Sequence, residues 1–203
     1  MKISLCLFAG VCSTLALAET ATFVSPHENC CKAVAPAAFT KNSLYQAEVK
    51  FTDDSAKIFD PGHLRGRPVV LAMFFSSCGY ACPLIVSDMQ AIQAKLPESV
   101  GQTTEFVLVS FDTLRDSPAA LADYRKRRGL DKRWTLLHGD DDSVRELAAL
   151  LGVKYKREPD GAYSHSNLIT VLNSEGEIVY QRDGLNGGVA EAETAVVAAQ
   201  THR

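Results

Sequence analysis

Cys78 and Cys82 stand three residues apart in Cys78-Gly79-Tyr80-Ala81-Cys82-Pro83, directly after the apolar run Val69, Val70, Leu71, Met73, Phe74, Phe75. A run of this length, rich in β-branched and aromatic residues, predicts a buried strand. Pro83 suits the first turn of a helix, where its missing N–H has no partner to lose. Both thiols therefore fall on a strand-to-helix turn, and the partial positive charge of a helix N-terminus favours the thiolate. Such a pair can exchange disulfides, bind a soft metal, or close into a plain structural disulfide.

The spacing bears on these three. A thioredoxin-type redox pair has two intervening residues, and this one has three. The wider loop can present two sulfurs to one metal ion from the same side and still let them oxidise to a disulfide. Zinc asks for four ligands, usually from two such pairs. Soft thiolates select Cu(I), and an imidazole would complete a three-coordinate site that also accepts Cu(II). The five histidines are His27, His63, His138, His165 and His202. His202 is terminal, His27 lies in an aperiodic segment, and His63 and His138 sit beside glycines and read as exposed turn residues. His165 lies in the loop Gly161-Ala162-Tyr163-Ser164-His165-Ser166-Asn167, which leads into Leu168-Ile169-Thr170-Val171-Leu172. It is the candidate third ligand, and only the fold can bring it to cysteines more than eighty residues away.

The elements that must do this alternate. Glu48–Thr52 and Ala56–Ile58 around Asp53-Asp54 predict a hairpin, and Pro61–Leu64 a short turn. The central strand runs from Pro68 to Phe75, followed by the cysteine turn and a helix over Pro83–Leu96 with Ile85, Met89, Ile92 and Leu96 on one face. Glu105–Phe111 is a second buried strand. Ser117–Arg128 is a helix, with Asp116 or Ser117 as its N-cap and Gly129 as its stop. Its Arg125-Lys126-Arg127-Arg128 run reads as a solvated end whose charge suits the helix dipole. Trp134–Leu137 is a strand and Asp141–Leu151 a helix. A second hairpin (Leu168–Leu172, Ile178–Tyr180) turns at Asn173-Ser174-Glu175-Gly176, and Val189–Ala199 closes as a helix. This order predicts an α/β, thioredoxin-like fold, a mixed central sheet flanked by helices with an N-terminal hairpin extension. The cysteines fall at the carboxyl end of a strand, where open α/β sheets place their ligands.

Met1–Ala18 carries one early charge, Lys2, then an apolar core and Ala16-Leu17-Ala18, the pattern of a cleavable secretory leader. Residues 19–43, rich in Ala, Pro and Ser, read as a linker, and 44–203 as one domain. The full chain has 203 residues, 46% of them hydrophobic, and a net charge of −3. That is enough to bury one core, and nothing basic points to nucleic acid. Of six cysteines, Cys6 and Cys12 fall in the leader. Cys30, Cys31, Cys78 and Cys82 remain, too few for a disulfide-rich scaffold but in a compartment where disulfides persist. Cys30-Cys31, close behind His27, could bind copper, pair with another molecule, hand metal to the main site, or form a local or intermolecular disulfide without function.

At this point the chain resembles the Sco/SenC family of copper-binding, thioredoxin-like proteins that serve cytochrome c oxidase assembly. The likeness spans roughly Leu44–Ala199. It rests on Cys78-x3-Cys82-Pro83, on Val109-Ser110-Phe111-Asp112-Thr113-Leu114-Arg115-Asp116-Ser117-Pro118, and on His165-Ser166 followed by a strand and a turn with Gly176. The resemblance implies that Cys78, Cys82 and His165 bind copper, as Cu(I) or Cu(II). It implies a partner that is the copper-bearing subunit of cytochrome c oxidase or another copper chaperone. The protein would be exported, periplasmic in a Gram-negative bacterium, meeting the membrane only through its partner or an uncleaved leader. Gly79-Tyr80-Ala81 between the cysteines departs from the Pro, Asp or Val common there in the family. The other reading is a thiol-disulfide oxidoreductase with Cys78 and Cys82 as its redox pair. Asp112, Arg115 and Asp116 fit either support for the site or a plain ion pair and helix cap.

Overall fold

β1 (Phe51–Asp53) and β2 (Ile58–Phe59) form an antiparallel hairpin that opens the fold in the computed structural model, which describes residues 38–201. The expected leader, most of the expected linker, Cys30, Cys31, His27 and His202 lie outside the described residues. The last part of that linker, from residue 38, is packed. Ser43 caps a 3₁₀ turn at Leu44–Gln46, its hydroxyl donates to the Glu175 carbonyl, and the Thr40 hydroxyl donates to Glu177 (2.7 Å). A second 3₁₀ turn, Pro61–Leu64, lies where Pro and Gly predict one.

β3 (Val69–Phe74) follows and is buried at every position, as its unbroken apolar run requires of a strand covered on both faces. After α1 (Ala81–Lys95) and the short α2 (Glu98–Gly101), β4 (Glu105–Ser110) pairs parallel with β3. Next come α3 (Pro118–Arg128), β5 (Trp134–Gly139) and α4 (Asp141–Leu151). β8 (Leu168–Leu172), β9 (Ile178–Asp183) and α5 (Val189–Thr201) close the fold. The main sheet has seven strands in the order β2-β1-β5-β4-β3-β8-β9. The β3–β4 and β4–β5 pairings are parallel, and the others antiparallel, so both expected hairpins flank a parallel centre. Between α4 and β8 lies one element the sequence reading left as a loop. β6 (Tyr155–Arg157) and β7 (Tyr163–His165) form a separate two-stranded sheet.

Helix ends follow their local chemistry. Ser117, rather than Asp116, caps α3 by accepting from the Ala120 amide, and Gly129 stops it at φ 63°. Asp140 caps α4 by accepting from Ser143, which holds its carboxyl below the usual carboxylate range. Alternation sorts the strands' side chains onto two faces. Leu71, Val107, Val109, Leu137 and Leu172 meet Tyr45 and Leu147 of α4 on one side. On the other, Phe74 lies 5.1 Å from the Tyr124 ring of α3, and Phe106 stacks on Trp134, whose indole donates to Gln93 of α1. A Phe106→Ala cavity in this layer would cost about 3–5 kcal/mol. At the β8–β9 turn, Gly176 has φ 81°, and a Cβ there would sit 2.6 Å from the Tyr45 ring, so no other residue fits.

Two expectations need correction. His138 is in β5, not a turn; it is half-buried and pairs with Thr52 of β1. The basic run ending α3 is only partly a solvated end. Arg125 forms an ion pair with Asp54 and donates to the Trp134 carbonyl, while Arg128 donates to the Pro83 carbonyl (2.7 Å) and so ties α3 to the first turn of α1.

Candidate metal centre

The strand–turn–helix that carries the cysteines is tighter than its sequence suggests. α1 begins at Ala81, two residues before Pro83, so Cys82 lies in the helix and Cys78 in the loop before it. Tyr80, at the N-cap, provides no side-chain bond to the helix end. Cys78 Sγ takes that place, accepting from the Cys82 amide at 3.4 Å. An amide that would otherwise be orphaned thus points at the Cys78 sulfur. The two thiols differ in setting. Cys78 is half-buried, whereas Cys82 is fully buried against the core, and burial pushes its thiol well above the ordinary range. A backbone hydrogen bond from Phe75 opposes that shift, and the neighbouring Cys78 adds to it.

His165 arrives from the other side, on the last residue of β7. Its Nε2 lies 3.7 Å from Cys82 Sγ, and its Nδ1 lies 3.0 Å from the Ser166 carbonyl. A carbonyl only accepts, so Nδ1 carries a proton, and in the neutral ring Nε2 presents its lone pair toward the sulfur. Rings hold the imidazole in place. Phe111 lies 5.0 Å away and Phe75 5.9 Å away edge-on. Phe111 also stacks on Tyr155 at 5.3 Å and meets Tyr163 at 5.1 Å. The small β6–β7 sheet is therefore fastened to the site by aromatic packing rather than by the main ladder.

The two sulfurs and Nε2 all lie within 4.8 Å of one another. With metal–sulfur and metal–nitrogen bonds of about 2.3 and 2.0 Å, a 3.7 Å sulfur–nitrogen separation subtends about 120° at a metal ion. For the Cys82–His165 pair, that is the angle a three-coordinate site would show. Two cysteine sulfurs and one imidazole would make a soft donor set, and among the described residues no carboxylate joins the group. The structure thus brings together all three residues that the sequence singled out, Cys78, Cys82 and His165. His63 is exposed on its turn and His138 lies in the β1–β5 pairing, so neither joins the group.

The sequence matches the SCO1/SenC family over residues 37–198. The chain belongs to that family. Among its relatives is a protein of Stutzerimonas stutzeri named for copper binding, 26% identical over 137 residues. That match covers 64% of this chain and 65% of the relative, just under two thirds of the relative's length. Among solved structures, Arabidopsis thaliana ScoI with copper bound superposes with a TM-score of 0.66 at 22% identity, covering 74% of this chain and 94% of that one. BsSco, described with a disulfide switch and as a member of the Sco family of cytochrome c oxidase assembly proteins, gives 0.67 at 21% identity, covering 81% and 99%. This SCO1/SenC chain therefore has the thioredoxin-like fold its element order implies.

The surroundings of His165 are what sequence reading missed. Tyr155, Tyr163 and Phe111 build its seat, and two three-residue strands carry two of them. The signal was Pro159-Asp160-Gly161, a turn sequence midway between two short Tyr-led segments.

Proposed function

We propose that this protein is a copper metallochaperone that binds one copper ion through Cys78, Cys82 and His165 Nε2 and hands it to an exported copper protein. The copper-bearing subunit of cytochrome c oxidase is the receiver that the BsSco description favours. The observation that carries the reading is the convergence of two sulfurs and a lone-pair-bearing Nε2 within 4.8 Å. The Stutzerimonas stutzeri relative and the copper-bound Arabidopsis thaliana structure support copper as the metal.

Copper here is cargo, so the protein's task is to take it up and let it go. Uptake of Cu(I) replaces the thiol protons of Cys78 and Cys82 and uses His165 as the neutral imidazole, so binding releases protons and weakens in acid. Burial of Cys82 strengthens that dependence, because its thiol keeps its proton in the metal-free state. Cys78, the more exposed sulfur, is the atom a receiving thiolate would share first. Exchange with a disulfide of an exported oxidant, which is itself reduced to the dithiol, would convert the pair to a disulfide, remove both sulfur ligands, leave the imidazole alone and release the metal. Export, read from Met1–Ala18, would put the pair where such oxidation occurs.

A second reading, thiol-disulfide exchange with exported proteins, is favoured by the asymmetry of one half-exposed and one buried thiol. Copper titration of the reduced full chain, with X-ray absorption on the loaded protein and on His165→Ala, separates the two. The copper reading expects one equivalent bound through two sulfurs and one nitrogen, with the nitrogen lost in the variant. Absence of copper binding while Cys78 stays reactive would overturn it in favour of exchange.

A further inference from the structure

The loop over 112–117, between β4 and α3, contributes no donor atom to the site, yet it holds both halves of it. Asp116 is fully buried. It accepts from the Ser76 amide (2.7 Å), the Ser76 hydroxyl (2.5 Å) and the Ser110 hydroxyl (2.6 Å), all of them uncharged donors. Ser76 stands two residues before Cys78, whose own amide donates to the Phe75 carbonyl. Burying a carboxylate is costly unless its hydrogen bonds are made. Asp116 makes them to the chain that leads into the cysteine turn, far more than a helix cap needs.

The other half is held from the same loop. Asp112, also fully buried, forms an ion pair with Arg115. Arg115 Nη2 donates to the Gly161 carbonyl (2.6 Å) in the turn of the β6–β7 hairpin, and the guanidinium lies 6.0 Å from the Tyr163 ring centre. The Tyr163 hydroxyl reaches Asp112 at 3.5 Å. Ser110 links the Asp116 carboxylate to the backbone of Asp112, since its hydroxyl donates to Asp116 and accepts from the Asp112 amide (3.0 Å). One continuous set of bonds thus runs from the residue before the cysteine loop to the hairpin that ends at His165.

We propose that Asp116 and the Asp112–Arg115 pair are positioning residues that set the distance between the sulfurs and the imidazole nitrogen, Asp116 for the cysteine turn and Arg115 for the histidine hairpin. The inference rests on the copper reading for its consequence and not for its geometry. Because the two arms are separate, they should fail separately. Groups that orient metal ligands through hydrogen bonds typically change affinity 10- to 100-fold when lost.

The test uses the reduced full chain with Arg115→Gln, Arg115→Lys, Asp116→Asn and the milder Ser76→Ala, which removes one bond and leaves the carboxylate otherwise satisfied. Three readouts are taken. Two are on metal-free protein: hydrogen exchange at the Glu158 and Ser166 amides of the hairpin, and the rate at which an aromatic disulfide reagent modifies Cys78. The third is nitrogen hyperfine coupling after addition of Cu(II). Arg115→Gln is expected to speed hairpin exchange at least 10-fold, to diminish the nitrogen coupling and to leave the Cys78 rate within twofold of the parent. Arg115→Lys keeps the charge and recovers part of both losses. Asp116→Asn and Ser76→Ala are expected to change the Cys78 rate at least threefold and leave hairpin exchange within twofold. Equal disturbance of both readouts by every variant, or of neither by any, overturns the proposal. If the parent protein binds no copper, the first two readouts still decide the positioning, so the two failures are distinguishable.

Discussion

Replacing Phe111 by Leu keeps an apolar side chain in the core but removes the ring that holds the histidine hairpin. Three ring contacts reach that hairpin from Phe111: Tyr155 at 5.3 Å, Tyr163 at 5.1 Å and His165 at 5.0 Å. Each such pair is worth about 0.5–1.5 kcal/mol beyond burial. The three share one ring and do not add independently, so we take the lower part of the range, about 2 kcal/mol in total. Since about 1.4 kcal/mol corresponds to a factor of ten, local opening of the hairpin should become roughly 30-fold more frequent. Hydrogen exchange at low urea, where local opening dominates, reads this at the Glu158 amide, bonded to Ala162, and the Ser166 amide, bonded to Lys154. A change of less than about threefold at both amides would falsify the view that aromatic packing, rather than the strand pairing alone, seats His165.

Further outcomes follow from other parts of the molecule. Asp88→Ala should lose about 3 kcal/mol in urea unfolding, because it strands Arg182, whose side chain is only 9% exposed, without its partner; a loss under 1 kcal/mol would show the pair to be well solvated. In the reduced protein near neutral pH, iodoacetamide followed by mass spectrometry should label Cys78 and spare Cys82 until the chain unfolds; equal labelling would contradict the burial of Cys82. Its raised thiol also sets a sign. The unfolded chain loses that proton first as pH rises past the ordinary thiol value of 9.0, so the stability of the reduced protein should fall on the alkaline side of it. Glu177 behaves oppositely. Hydrogen bonds from Thr40 and Asn173 hold its carboxyl below 4.5, so its contribution is present above that value and lost as pH falls through the lowered one. Thr40→Ala should reduce that acid dependence in pH-resolved melts, and an unchanged acid limb would count against the tie.

Where one segment carried its own signal, the sequence was enough. The apolar run at Val69–Phe74 has no other stable fate than a covered strand, and Gly129 ends α3 by capping chemistry alone. The three candidate ligands were legible for a similar reason, since thiols at a strand-to-helix turn and a histidine entering the last hairpin are local facts that a thioredoxin-like order then joins. What stayed hidden depended on distant partners. Asp116 looks like a helix cap because Asp-Ser-Pro suits one. Its actual donors, Ser76 and Ser110, are 40 and 6 residues away. β6 and β7 are three residues each, with charged and exposed positions among them, too short for periodicity to register. His138 was taken for a turn because Gly139 follows it, whereas the pairing with β1 carries β5 through that glycine. The start of α1 moved for a related reason: any residue of a first turn satisfies the argument made for Pro83, and the bond from the Cys82 amide to Cys78 Sγ decided which.

The separateness of the β6–β7 sheet has a practical consequence for how damage to this protein would be noticed. A melting curve of the whole chain reports on the seven-stranded sheet and its helices, and two of the three proposed ligands belong to that body. The third is mounted on a piece too small to contribute much to the cooperative transition. A substitution at Tyr163 or Arg115 could therefore pass a stability screen and a count of free thiols, and still have lost the geometry on which the site depends.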